Sequence, residues 1–126
     1  MAINTPSRKP TAAELSILQV LWNRGPSTVR EVLDELAGET GYTTVLKLLQ
    51  IMTEKGLVAR NETQRTHVYS PKSPRETTQK QLVRDLLERA FGGSAKHLIL
   101  SALASQKASP EELAEIRSVL DKLQSK

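Results

Sequence analysis

The stretch GYTTVLKLLQIMTEKGLVARNETQRTHVY, residues 41–69, changes its hydrophobic period partway along, and that change decides the fold. From about Thr43 or Thr44 to Lys55 the apolar residues recur at helical spacing, so Val45, Leu48, Leu49 and Met52 share one face. Thr43, Lys47, Gln50 and Glu54 lie opposite, with Leu46 and Ile51 on the flanks. Gly56 stands where a left-handed residue ends many helices. Beyond it, Leu57-Val58-Ala59-Arg60 and Thr66-His67-Val68-Tyr69 are short β-prone runs. The polar segment Asn61–Arg65 between them is turn-like, and the whole reads as a β-hairpin. Pro71 and Pro74 close the block.

Two helices are predicted upstream. Thr11 and Glu14 have the spacing of a capping box, and Leu15, Ile17, Leu18, Leu21 and Trp22 give the helix after them an apolar face. Arg24-Gly25-Pro26 stops it. Ser27 or Thr28 caps a second helix, whose buried stripe is Val29, Val32, Leu33 and Leu36, with Gly38 and Gly41 bracketing its exit. Three helices followed by a hairpin is the order of a winged helix-turn-helix, in which the third helix can lie in the major groove of DNA. This domain is expected over residues 1–73.

Residues 74–126 read as a second, helical domain. Pro74 suits the first turn of a long helix to Phe91, with Leu82, Val83, Leu86 and Leu87 on its stripe. Gly92-Gly93 breaks it, and Ser94 can cap a short helix through Leu98, Ile99, Leu100 and Leu103. Ser109-Pro110-Glu111-Glu112 opens a last helix bearing Leu113, Ile116, Leu120 and Leu123. These side chains are too many to face solvent and too few for a self-contained core. Readers of duplex DNA are commonly two-fold, so Leu82, Leu86, Phe91, Leu98, Leu100 and Leu120 are expected at a homodimer interface. The alternative is a tail folded back on its own first domain. The expected fold class is mainly α with a small β-hairpin wing, a winged helix-turn-helix plus a C-terminal helical dimerisation domain.

Charge placement points to the same partner. The chain of 126 residues has a net charge of +4, yet residues 1–41 carry four basic and five acidic side chains. Residues 42–75 carry Lys47, Lys55, Arg60, Arg65, Lys72 and Arg75 against Glu54 and Glu62 only. An excess of positive charge confined to one stretch is the footprint of a nucleic-acid surface. A solvated basic face on a winged-helix interaction or scaffold module is the competing reading. Within the DNA reading, Tyr42, Thr43 and Thr44 offer hydroxyls and backbone N–H groups to a phosphate. Lys47 and Gln50 are types that pair with guanine and adenine edges, and Leu46 borders them. Arg60, Arg65 and His67 on the hairpin can reach the flanking backbone. Thr43 and Thr44 could equally be plain helix caps, and Tyr42 a staple to the core.

Other function classes find little support. The chain has no cysteine, which removes disulfides, thiolate metal sites and a thiol nucleophile. His67 and His97 stand in different modules without a carboxylate at ligand spacing, and there is no glycine-rich phosphate loop or serine elbow. No cofactor, no metal and no enzymatic activity are expected. No apolar run approaches the roughly 18 residues that span a bilayer, and MAINTPSRKP lacks an apolar signal segment. A cytoplasmic location is expected.

Pro10-Thr-Ala-Ala-Glu-Leu, Val20-Leu-Trp, the run from Gly41 to Val58 and Phe91-Gly-Gly-Ser together resemble the BlaI/MecI family of penicillinase repressors, over Lys9 to Lys122. The resemblance implies dimers that repress transcription from operators with TACA/TGTA-like half-sites. It also makes Thr43–Lys55 the recognition helix and Leu57–Tyr69 the wing. In β-lactam-responsive members an Asn–Phe bond of the dimerisation domain is cleaved downstream of a membrane-bound sensor metallopeptidase. Here Ser101-Ala102 stands at that place. Copper-responsive members carry a cysteine-rich C-terminal motif, which this chain lacks. The resemblance implies a sensor peptidase as partner, acting at a different cleavage sequence near Ser101 and Ala102.

Overall fold

A computed structural model of the chain describes residues 9–36, 38 and 40–125; the N-terminal stretch read for a signal segment lies outside them except for its last two residues. Among the described residues the order is α1 (Ala12–Arg24), α2 (Val29–Glu35), α3 (Tyr42–Lys55), β1 (Val58–Asn61), β2 (Val68–Pro71), α4 (Arg75–Ala90), α5 (Ala95–Ser105) and α6 (Pro110–Gln124). The protein is mainly helical with a two-stranded antiparallel hairpin. The chain divides into two compact units, one running through Leu82 and the other from Val83 onward.

Local chemistry sets the helix ends. Thr11 Oγ1 accepts from the Glu14 N–H at 3.2 Å while Glu14 Oε1 accepts from the Thr11 N–H at 2.9 Å. The same reciprocal pair joins Thr28 and Glu31, so Thr28, and not Ser27, caps α2. α1 stops at Gly25 with φ 94°, and α3 stops at Gly56 with φ 82°, backbone angles that other residues adopt only under strain. Ser94 and Ser109 cap α5 and α6 as the sequence suggests.

In the first unit, the apolar faces of three helices meet the base of the hairpin. Ile17, Leu18 and Leu21 of α1, Val29 and Val32 of α2, and Val45, Leu49 and Met52 of α3 are buried together with Val58 and Tyr69. Leu48, placed with the buried side by periodicity, is half-buried. The strands pair Val58 with Pro71 and Arg60 with Tyr69. β1 starts one residue later than its β-prone run, since the Leu57 N–H is spent on the Met52 carbonyl at 2.9 Å in closing α3, and β2 starts two residues later, at Val68, the partner of Asn61.

A further backbone exchange ties the hairpin to the helices. The Ser27 N–H donates to the Tyr69 carbonyl at 2.9 Å and the Tyr69 N–H to the Ser27 carbonyl at 2.8 Å. Ser27 is fully buried and its hydroxyl donates to the Gly25 carbonyl. The segment between α1 and α2 is thus a one-residue third strand. α4 begins inside this unit: Trp22 Nε1 donates to the Ser73 carbonyl at 3.1 Å, Arg75 donates to Asn23 Oδ1, and Thr78 is buried.

The second unit is different in kind. No side chain of α5 or α6 is buried, and Val83, Leu86, Ile99, Leu100, Leu103, Val119, Leu120 and Leu123 are exposed large apolar groups. Leu82, Phe91 and Leu98 are half-buried.

Candidate nucleic-acid interface

α3 buries Val45, Leu49 and Met52 and turns Thr43, Thr44, Lys47, Gln50 and Glu54 outward. Leu46 is half-buried beside them, and Ile51 is exposed on the other flank. The helix starts at Tyr42, earlier than its threonines suggest, with Gly41 as the N-cap. Glycine brings no side-chain acceptor, and no side chain caps this end. The first-turn N–H groups are therefore available to an anion, and neither Thr43 nor Thr44 occupies the capping position.

The hairpin completes a cleft against this helix end. A space of about 260 Å³ is lined by Val29, Tyr42 and Leu46 on the helical side and by Arg65, Thr66, His67 and Tyr69 on the hairpin side. Four of the residues singled out in the sequence, Tyr42 and Leu46 of α3 with Arg65 and His67 of the hairpin turn, thus line one cleft. The Ser27–Tyr69 exchange holds those elements in place, since it anchors β2 to the turn that launches α2.

Arg60 is placed differently. Its guanidinium pairs with Glu62 at 2.7 Å. Hydrogen bonds to Glu62 and Tyr69, together with the Glu62 charge, hold it above its ordinary protonation range. Glu62 thus engages Arg60, whereas Arg65 at the exposed turn has no ion-pair partner among the described residues. The turn itself is shaped by Asn61, whose Oδ1 accepts from the Thr63 N–H and hydroxyl at 2.9 and 2.8 Å.

Two features escaped the sequence reading. Arg30 of α2 lies with its guanidinium carbon 5.3 Å from the centre of the Tyr42 ring. It belongs to the acidic N-terminal third of the chain, outside the basic stretch of residues 42–75. Glu14, read only as half of a capping box, also binds Lys55 Nζ at 2.8 Å and ties α1 to the last turn of α3. Burial pushes the Glu14 carboxyl up, but Lys55 and the Thr11 N–H outweigh it and leave its pKa below the usual value. Among the described residues no cluster of His, Cys, Asp or Glu is arranged to hold a metal ion, and no helix is long and apolar enough to cross a membrane.

Residues 10–122 match the sequence profile described as penicillinase repressor. The chain is 24% identical over 111 residues to the penicillinase repressor of Bacillus licheniformis, covering 86% of this chain and 87% of that one. It is 29% identical over 114 residues to the transcriptional regulator BlaI of Mycobacterium tuberculosis, covering 88% and 82% respectively. A solved structure of Bordetella bronchiseptica BpsR matches 97% of the chain and 80% of its own length, with a TM-score of 0.48 and 20% identity.

Proposed function

The chain belongs to the penicillinase repressor family and is a transcriptional repressor, not an enzyme; from that premise we propose that it acts in the cytoplasm as a homodimer on pseudo-palindromic operator DNA. The observation that carries this reading is the exposed face of α3, with Lys47 and Gln50 outward and an uncapped N-terminus beside the hairpin cleft. Lys47 and Gln50 read base edges in the major groove. Leu46, at the border of the cleft, adds apolar contact. Tyr42, Thr43 and Thr44 meet a phosphate through hydroxyls and backbone N–H groups. The wing lays Arg65 and His67 along the flanking backbone, and Arg60 follows once Glu62 releases it.

In this scheme residues 1–73 form the reading head, with the first turns of α4 packed on it, and residues 74–126 carry the dimerisation surface. Leu86, Leu100 and Leu120 are exposed, and a second copy would remove them from water along with Leu82, Phe91 and Leu98. The same interface sets the separation of two recognition helices. Relief of repression follows if the tail is cut near Ser101 and Ala102, because the dimer is lost and the heads remain. Both residues are exposed, but they lie inside α5, where the Ser101 carbonyl accepts from the Ser105 hydroxyl at 2.7 Å. A membrane-bound sensor metallopeptidase, or a protease it controls, would need that helix to open locally before an extended substrate could bind.

Lys47→Ala and Gln50→Ala should each weaken binding to an operator selected from a random duplex pool by about 1–3 kcal/mol. Both side chains are exposed, so circular dichroism should stay native. Unchanged operator affinity in both variants would remove α3 from the reading role.

A further inference from the structure

We propose that Arg30, outside the basic stretch, is a phosphate-binding residue of this interface, held against DNA by stacking on Tyr42; the proposal rests on the DNA-reading assignment of α3. Arg30 is exposed and sits in the first turn of α2, with its guanidinium carbon 5.3 Å from the centre of the Tyr42 ring. Nothing in the folding of α2 calls for a cation there. The N-terminal end of a helix carries partial positive charge, so a basic side chain in the first turn is mildly unfavourable.

Nor is Arg30 drawn there by a carboxylate. Glu31 accepts from the Thr28 N–H at 2.9 Å and pairs with Arg24 at 3.2 Å, and Glu35 also faces Arg24, at 3.6 Å. Among the described residues no acidic group pairs with Arg30. Its contact is the Tyr42 ring, and an exposed cation–π contact stabilises a fold only weakly.

What the stack does achieve is placement. Tyr42 opens α3, whose first-turn N–H groups have no side-chain cap. A guanidinium lying on that ring keeps its N–H edge free, and that planar edge matches two phosphate oxygens at once. Arg30 is thereby set beside the point where α3 can bind a phosphate through its backbone. Tyr42 also lines the cleft to which Arg65 and His67 contribute. Tyr42 thus touches Arg30 of α2 and shares a cleft with Arg65 of the hairpin, and the helix before a recognition helix is the one that crosses the DNA backbone.

The test uses the full chain and a fluorescein-labelled mixed-sequence duplex of about three helical turns, with anisotropy titrations over a series of salt concentrations. Each phosphate contact contributes about −0.9 to the slope of log affinity against log salt. Arg30→Ala should make the slope shallower by about 0.9 per bound protomer and weaken binding roughly fivefold per protomer at physiological salt. Its thermal midpoint should match the parent chain. Arg30→Lys, which keeps the charge, should keep the slope. A weaker Arg30→Ala complex with an unaltered slope would make the residue merely structural, and an Arg30→Ala curve lying on the parent's would remove it from the interface; either overturns the proposal. A parent chain with no salt-dependent binding would instead overturn the DNA-reading assignment itself.

Discussion

Ending the chain after Leu82 should yield a folded monomer whose operator affinity is lower by about two orders of magnitude or more. The compact first unit runs through Leu82, and its ten-residue buried cluster lies wholly within α1, α2, α3 and the hairpin. Ending the chain at Ser73 instead would strip away Arg75, which lies 5.9 Å from the Trp22 ring, and the buried Thr78. The tail has the opposite character: Leu100, Leu120 and Leu123 are 53%, 51% and 66% exposed. Burying apolar surface is worth about 25 cal/mol per Å², so this face gains most from a second copy of itself. Without it, two half-site contacts become independent, and coupling two sites is worth roughly 10²–10⁴ in affinity without any new contact. Binding to mixed-sequence DNA, which depends on the charge of each head, should change much less. Sedimentation is the direct check. A full chain that runs as a 14.0 kDa monomer at micromolar concentration and still holds its operator tightly would exclude this mechanism.

Lys55→Met should destabilise the first unit by about 3 kcal/mol at neutral pH, because it leaves a buried carboxylate without its partner. Glu14 is 2% exposed and Lys55 19%, and the residual exposure of Lys55 places the cost near the lower end of that expected for broken buried pairs. For a domain of this size, 3 kcal/mol corresponds to a fall of roughly 10–20 °C in the thermal midpoint. The pH dependence carries a sign of its own. In the parent chain Glu14 has its pKa lowered on folding. Its contribution is therefore complete above the ordinary carboxylate range and is lost as pH falls through the lowered folded value. In Lys55→Met the main opposition to burial is gone, so the folded pKa rises, and protonation on acidification relieves the penalty. The stability gap between the two chains should narrow as pH falls. Glu14→Gln combined with Lys55→Met should recover most of the loss, since glutamine can still serve the Thr11 capping box. A gap that stays constant down to acidic pH would show that the ion pair is not its source.

Much of this architecture is written in short sequence spans. The capping boxes of Thr11 and Glu14, Thr28 and Glu31, and Ser109 and Glu112 each close across three residues. Gly56 in a left-handed conformation ends α3 where its position suggests. The buried stripe of α3 follows from helical period alone, and that stripe dictates which side chains face out. Lys47 and Gln50 were identifiable for this reason, and so was the apolar excess of the tail.

Where the partner in an interaction lies far along the chain, only the fold decides. The turn between α1 and α2 joins the hairpin only because Ser27 and Tyr69, far apart in the chain, exchange backbone hydrogen bonds. Glu14 and Lys55 are 41 residues apart, and nothing in either neighbourhood announces the pair. Arg30 reads as one more solvated arginine until folding lays it on Tyr42. Hydrogen bonds and apolar contacts within four residues need only the local backbone, so sequence by itself determined the helices, their caps and their outward faces. Pairings across tens of residues depend on which surfaces the core brings together, and those the tertiary structure alone decided.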